Sequence, residues 1–108
     1  MKIAITSQNL HSVTAHAGRC RKFWIYDVKN VGSEIKKHFV ELDMDETLHT
    51  MKDQLPLKLE GLNVLITANL REPLKAKLAQ AGVLTRLTNE ASPDFALLTF
   101  LASKKIQH

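Results

Sequence analysis

The feature that most constrains the fold is a strand-helix-strand pattern between residues 62 and 87. Leu62 to Ala68 is almost continuously apolar, which is typical of a strand that is covered on both faces. Pro73 stands where the first turn of a helix tolerates proline, and Gly82 supplies the left-handed stop at the helix end. Val83 to Leu87 then predicts a second short strand. This order indicates a right-handed parallel crossover and therefore an α/β fold.

The residues before this unit predict three further strands. Lys2 to Thr6 begins the chain as a β-branched, apolar strand. Phe23 to Val28 and Lys37 to Leu42 flank the turn signal Asn30-Val31-Gly32-Ser33, and they predict an antiparallel hairpin. Together with the crossover, these segments give a mixed sheet of about five strands with helices packed on its faces.

Two more helices are predicted, one on each side of the crossover. The first is capped by Asp43 or Asp45 and ends before Pro56. Its core-facing stripe consists of Met44, Leu48, Met51 and Leu55. The last helix begins with Ser92 as N-cap, followed by proline and aspartate in its first turn, and it is expected to run to about Ala102.

Composition agrees with one soluble globular domain over residues 1–103 and a short, frayed C-terminal tail at 104–108. No apolar run approaches the roughly 20 residues that a membrane-spanning helix needs, and the N-terminus carries no secretory signal pattern. The expected location is therefore cytoplasmic. A net charge of +4 favours an anionic partner, although charge alone does not choose among nucleic acid, phosphate and a metal cluster.

The connection from Ser7 to Arg21 is polar and longer than most loops in compact domains, which indicates a functional or mobile segment. It contains His11, His16 and Cys20, the last being the single cysteine of the chain. Imidazole with thiolate suits zinc, copper, iron or an iron-sulfur species, but three ligands fall short of a closed structural zinc site. On spacing alone, a small buried cysteine with solvated histidines is the favoured interpretation.

Basic residues surround this cysteine in the sequence, namely Arg19, Arg21 and Lys22. Positive neighbours lower the pKa of a thiol toward the metal-binding thiolate, and they also attract an anionic ligand. A solvated basic patch is the alternative. Asn69 and Arg71 are expected to face the same mouth, because α/β sheets bind ligands at the carboxyl ends of their parallel strands.

The common enzyme motifs are absent from the sequence. There is no GxGxxG, GxxxxGK[ST] or GxSxG pattern, which removes the usual markers of dinucleotide, P-loop and hydrolase sites. A two-metal nuclease needs carboxylates on its central strands, and the first strand offers only Lys2 and Thr6 beside apolar residues. Nucleic-acid binding is supported by the net charge alone, since the aromatic residues of 23–28 lie in a strand with at least one core face.

A family resemblance covers essentially the whole chain. The string His16-Ala17-Gly18-Arg19-Cys20-x-x-Phe23-x-Ile25-Tyr26-Asp27-Val28 follows an N-terminal strand and contains an H-[FA]-G-x-[CA] element that leads into an F-x-[IV]-[YF] strand. These motifs resemble the dinitrogenase iron-molybdenum cofactor biosynthesis family, which includes NifX, NafY and the C-terminal domain of NifB. Residues 59–66, 78–83 and 88–93 look like the second half of that family.

The resemblance implies a ribonuclease-H-like motif without nuclease activity, and a carrier in nitrogen fixation rather than an enzyme. The histidine and cysteine ligands of the family carry over onto His16 and Cys20, and the helix histidine of some members corresponds to His49. An iron-sulfur or iron-molybdenum cluster would be bound transiently, with the proteins that donate and accept it as partners. The expected cofactor-binding residues are His16, Cys20, Arg19, Arg21, Asn69 and Arg71.

The sequence departs from the family pattern at one place, and it also allows a second hypothesis. The chain has Ala68 to Arg71 where the family usually places glycines, so backbone approach to a ligand is not expected there. A second hypothesis is a regulatory or scaffolding module that binds a protein partner and no metal. In that case Trp24 would be exposed on an edge strand as part of an interface.

Overall fold

A computed structural model describes residues 1–29, 34–51 and 54–106. Its regular elements are five strands, two α-helices and two single 3₁₀ turns. In chain order they are β1 (Lys2–Thr6), β2 (Lys22–Val28), β3 (Ile35–Glu41), 3₁₀ turns at Leu48–Thr50 and Leu57–Leu59, β4 (Val64–Thr67), α1 (Glu72–Gln80), β5 (Leu84–Leu87) and α2 (Pro93–Ile106). No helix in these ranges is long and apolar enough to cross a membrane.

The five strands form one mixed sheet in the order β3-β2-β1-β4-β5. The hairpin partners β2 and β3 are antiparallel, and β2 is also antiparallel to β1. In contrast, β1, β4 and β5 are mutually parallel. This arrangement confirms the predicted hairpin and the predicted parallel strand-helix-strand unit, and with them the α/β class.

Each face of the sheet carries its own apolar cluster, because successive side chains of a strand point to opposite faces. Ala4 and Leu65 point to the side where Leu78 of α1 packs, which we call the α1 face. Ile5 and Ile66 point to the opposite side, the α2 face, where Ala96, Leu97 and Phe100 of α2 pack. All four residues of β4 are buried, as the continuous apolar run predicts.

Residues at the helix ends explain why the helices begin and end where they do. Pro73 lies in the first turn of α1, and Gly82 follows its end with φ of 82°, a conformation that glycine adopts without steric cost. At α2 the Ser92 hydroxyl accepts a hydrogen bond from the Phe95 amide at 3.3 Å, which confirms the predicted cap. This helix extends to Ile106, beyond the predicted end near Ala102.

The predicted helix over residues 43–55 is wrong within the described residues. The segment contains a single 3₁₀ turn at Leu48–Thr50, and Met44 is 80% exposed instead of facing the core. Thr47 before that turn has extended backbone angles, which stops a helix from beginning at either aspartate. The predicted turn at residues 30–33 lies outside the described residues, and the division at residue 103 stays a prediction.

Candidate functional site

The loop of residues 7–21 lies against the carboxyl ends of two parallel strands. Its Thr14 amide donates to the Thr6 carbonyl at the end of β1, and its Thr14 carbonyl accepts from the Ala68 amide just after β4. The Ser7 hydroxyl donates to the Ser12 carbonyl at 2.7 Å, which closes the first part of the loop on itself. The loop is therefore fixed by specific hydrogen bonds at the edge where α/β sheets bind ligands.

His16 begins a tight turn in this loop. Its φ of 58° places it in the left-handed region, which is uncommon for a residue with a side chain. The His16 carbonyl accepts hydrogen bonds from the Arg19 and Cys20 amides at 3.0 and 3.1 Å, while Ala17 is buried beneath the turn. This geometry leaves the imidazole exposed at the surface of the loop.

Cys20 ends the turn as a nearly buried residue. Its side chain belongs to the core cluster of the α1 face, only 4% of the residue is exposed, and its thiol donates to the Lys22 carbonyl at 3.1 Å. Burial raises the pKa of the Cys20 thiol above its usual value. The expected lowering by basic neighbours is therefore wrong, because burial disfavours the charged thiolate by more than the hydrogen bonds to the sulfur favour it.

Arg21 does not join the other candidate residues. Its guanidinium Nε donates to the Leu42 carbonyl at 2.9 Å, and Nη2 lies 3.4 Å from a carboxylate oxygen of Glu41. These contacts join the start of β2 to the end of β3, so the side chain stabilises the hairpin. We therefore do not retain Arg21 among the residues that surround the candidate site.

The opposite wall of the site comes from residues far away in the sequence. Asn69 and Arg71 follow β4, and His49 lies in the first 3₁₀ turn. The His49 amide donates to the Gly18 carbonyl at 2.8 Å, which joins this turn directly to the His16–Cys20 segment. A Cβ at Gly18 would lie 3.4 Å from the His49 Cβ, an ordinary van der Waals contact, so the two segments lie side by side at normal packing distance.

These two walls enclose a cavity of about 820 Å³. Six of the predicted site residues line it, namely His16, Arg19, Cys20, His49, Asn69 and Arg71. Lys77, which the sequence analysis missed, lines it as well. Leu74 and Lys77 lie three residues apart on α1, just after the N-cap Arg71, and this spacing on one helix face is the signal that could have found it. Three cations and no described acidic residue line this cavity, so it favours an anionic ligand.

The potential metal ligands do not form a ready site for a single ion. Among the described residues, only Asp43, Asp45 and Glu46 bring three ligand atoms within 4.8 Å of one another, and they do not line the cavity. His16, Cys20 and His49 therefore present separate contact points around a larger space. His11 lies outside the lining, and its amide donates to the Asn9 side chain at 2.9 Å.

Trp24 is held within the fold. Its strand β2 lies between β3 and β1, so the residue is not on an edge strand as the scaffolding hypothesis expects. Its indole N–H donates to the Leu10 carbonyl at 3.3 Å, its ring meets Phe39 edge-on, and the Lys37 ammonium lies 4.4 Å from the ring centroid. The half-buried ring is thus engaged by neighbours of its own chain.

The solved structures that resemble this fold include two that align over most of both chains. The NMR structure of a NifB candidate from Thermotoga, described there as a member of the DUF35 family, aligns with a TM-score of 0.65 at 22% identity over 94% of this chain and 87% of that one. The apo form of the orange protein from Desulfovibrio gigas aligns with a TM-score of 0.69 at 20% identity over 94% and 88% of the two chains. At these identities the likeness supports the fold alone.

Sequence comparison supplies the family. No curated protein matches the chain. The profile described as "Dinitrogenase iron-molybdenum cofactor" matches residues 1–103, which is nearly the whole sequence and includes every lining residue of the cavity. The chain therefore belongs to the dinitrogenase iron-molybdenum cofactor family.

Proposed function

We propose that this protein is a cytoplasmic, non-catalytic carrier that binds an anionic iron-sulfur or iron-molybdenum cluster transiently in the cavity. The observation that carries the proposal is the composition of the cavity wall. Arg19, Arg71 and Lys77 supply positive charge from two separate segments, and no described acidic residue opposes them. Family membership makes such a cluster the expected cargo.

The arrangement of the ligand atoms supports a cluster rather than a single ion. A mononuclear zinc or iron site needs its ligand atoms close together, whereas His16, Cys20 and His49 are spread around the wall. A polynuclear cluster spans several ångströms and can contact separated side chains. Few protein ligands and a buried thiol also favour reversible uptake over permanent attachment.

The cysteine contributes in a specific way under this proposal. Because the thiol is protonated and buried in the free protein, coordination through Cys20 must release its proton. The exposed imidazole of His16 requires no comparable desolvation, and its backbone is already fixed by the turn. We therefore infer that His16 makes first contact with the cargo and that Cys20 engages after it.

The topology supports the further proposal of a ribonuclease-H-like motif. The order β3-β2-β1-β4-β5, with β2 antiparallel to its neighbours and β1, β4 and β5 parallel, agrees with what the resemblance implies. Loop 7–21, rather than a set of strand carboxylates, occupies the edge where a two-metal nuclease would bind its ions. This difference favours a carrier over a nuclease.

The test is anaerobic titration of the protein with iron-sulfur cluster, and separately with iron-molybdenum cluster, followed by absorbance and metal analysis. We expect wild-type protein to take up the cluster, and a His16→Ala, Cys20→Ala double variant to take up much less. His11→Ala is the matched control, because it removes an imidazole from the same loop but outside the cavity. Equal uptake by the double variant and the control would contradict the assigned ligands, and no uptake by wild type would contradict the function.

A further inference from the structure

The two parallel strands that lead into the cavity both end in threonine. Thr6 closes β1 and Thr67 closes β4, and neither residue exposes any surface. Both side chains point to the α1 face, since they follow Ala4 and Leu65 by two residues. Their Oγ1 atoms lie 2.8 Å apart, within hydrogen-bonding distance.

This hydroxyl pair contacts both walls of the cavity. The Thr14 carbonyl, in the loop wall, lies 2.7 Å from the Thr6 Oγ1 and 3.2 Å from the Thr67 Oγ1. The Asn69 carbonyl, in the opposite wall, lies 3.3 Å from the Thr67 Oγ1. Thr14 and Asn69 both line the cavity. Each hydroxyl has one proton, so the pair donates two of these hydrogen bonds at any moment.

Core packing alone gives no reason for threonine at these positions. Valine has nearly the same shape and fits a buried strand, whereas a buried hydroxyl costs free energy unless its hydrogen bonds are made. Both hydroxyls have hydrogen-bond partners: besides each other, they contact only the carbonyls of the cavity-lining residues Thr14 and Asn69. These hydrogen bonds therefore fix the position of the loop wall relative to the wall that contains Asn69.

We propose that Thr6 and Thr67 are positioning residues that hold the loop wall and the Asn69–Arg71 wall in register around the ligand. This inference rests on the proposed function for its ligand, but it makes a separate claim about the free protein. Loss of either hydroxyl loosens loop 7–21 from the sheet edge. The cavity then opens more often, and its buried Cys20 becomes reachable from solvent.

The first experiment needs no ligand and measures the rate at which iodoacetamide alkylates Cys20 in the folded protein. We expect Thr67→Val to raise this rate about fivefold, since a net hydrogen bond is worth roughly 1 kcal/mol. Thr67→Ser, which restores a hydroxyl, should keep the wild-type rate. Thr85→Val is the matched control, because Thr85 lies opposite Leu65 on the neighbouring strand β5 and does not line the cavity.

The second experiment repeats the anaerobic cluster titration with the same variants. Thr67→Val should bind about fivefold more weakly at unchanged stoichiometry, and Thr67→Ser and Thr85→Val should bind as wild type does. A merely structural role would lower the free energy of unfolding without changing affinity in the folded protein. If Thr67→Val does not fold, Thr6→Val removes the other hydroxyl and carries the same expectations.

The outcomes separate this inference from the proposed function. Wild-type alkylation rates in Thr67→Val and Thr6→Val would overturn the positioning role, and so would an equal increase in Thr85→Val. Unchanged cluster affinity in the two valine variants would also overturn it. Absence of cluster uptake by wild type would instead refute the proposed function, while the alkylation rates would still decide whether the hydroxyls hold the two walls.

Discussion

Replacement of Lys77 by alanine tests whether the cavity attracts its ligand by charge. Lys77 lines the cavity from α1. It was not identified from the sequence, because the helix carries two lysines and the sequence alone does not say which of them faces the cavity. Lys75 provides a matched control on the same helix, since two residues correspond to a rotation of about 200° around the axis. Lys75 is exposed and does not line the cavity.

The expected magnitude follows from the size of the cavity. A sphere of about 820 Å³ has a radius of about 6 Å, which sets the separation between a wall cation and a centred ligand. For a dianion, the Coulomb energy at that distance is roughly 1 to 3 kcal/mol at effective dielectric constants of about 80 to 40. Physiological salt, with a Debye length of about 8 Å, reduces it by roughly half. We therefore expect Lys77→Ala to weaken binding about fivefold.

The assay is equilibrium titration with a soluble anionic cluster at several salt concentrations. Lys77→Ala should lower affinity and flatten the salt dependence, because one screened interaction is lost. Lys75→Ala should change affinity by less than about twofold. The Lys75 charge lies on the far side of the helix, so its distance from the ligand exceeds the Debye length and salt screens the interaction. Equal effects of the two substitutions would refute the claim that the local charge of the cavity wall selects the ligand.

Three further predictions concern stability. Tyr26→Phe should lower the free energy of unfolding by about 1 kcal/mol in urea denaturation, because it removes the 2.7 Å hydrogen bond from the buried phenol to Asp94. The loss should not be larger, because water can still solvate the Asp94 carboxylate. Hydrogen bonds from Tyr26 and Lys37 hold the pKa of Asp94 below its usual value. The stabilisation of the fold by the Asp94 carboxylate should therefore be present above about pH 4 and lost as the pH falls further. If the unfolding free energy of Asp94→Asn falls with pH as steeply as that of the wild type, this prediction is contradicted. Gly82→Ala should lower the free energy of unfolding by about 1 kcal/mol, measured by thermal denaturation, because φ at this position is 82°. The control Gln80→Ala, at the last residue of α1, should leave the free energy of unfolding unchanged, because alanine is compatible with helical backbone angles.

Most of the fold could be predicted because turn residues mark the element boundaries. Pro73, Gly82 and Ser92 have specific backbone requirements, and each does in the structure what its residue type indicates. The failure at 43–55 has an equally local reason. Leu48 and Met51 are three residues apart and both are buried, one at the start of a single 3₁₀ turn and the other just after it, so their spacing does not distinguish one turn from a full helix.

The candidate site was less predictable because neighbours in sequence are not neighbours in space. Cys20 and Arg21 are adjacent, yet the thiol packs in the core while the guanidinium reaches Glu41 and the Leu42 carbonyl across the hairpin. Conversely, His49 lies far from Gly18 in the chain but bonds to its carbonyl. Sequence adjacency therefore predicted a lowered pKa for the Cys20 thiol, whereas burial raises it.

The topology explains how these distant segments meet. Because β1 and β4 are adjacent and parallel, the loop after β1 and the turn after β4 leave the sheet at the same edge. The antiparallel strand β2 then begins at that edge and returns the chain from Cys20 into the core. A cavity formed by loops can be altered without changing the strands, so binding specificity can vary on a constant fold.

The two faces of the sheet divide stability from binding. The α2 face is closed by one helix that packs on Ile5, Ile66 and their neighbours, and the hydrogen bond between Tyr26 and Asp94 fastens the start of that helix. The α1 face carries the cavity, the buried thiol and the threonine pair. Substitutions on the α2 face should therefore change unfolding free energy with little effect on ligand affinity. Substitutions of Arg19 and Arg71 should do the reverse, because both residues are exposed. Lys77 is exposed as well, but its ammonium donates to the Met51 carbonyl at 3.4 Å, so its replacement should also lower the unfolding free energy slightly.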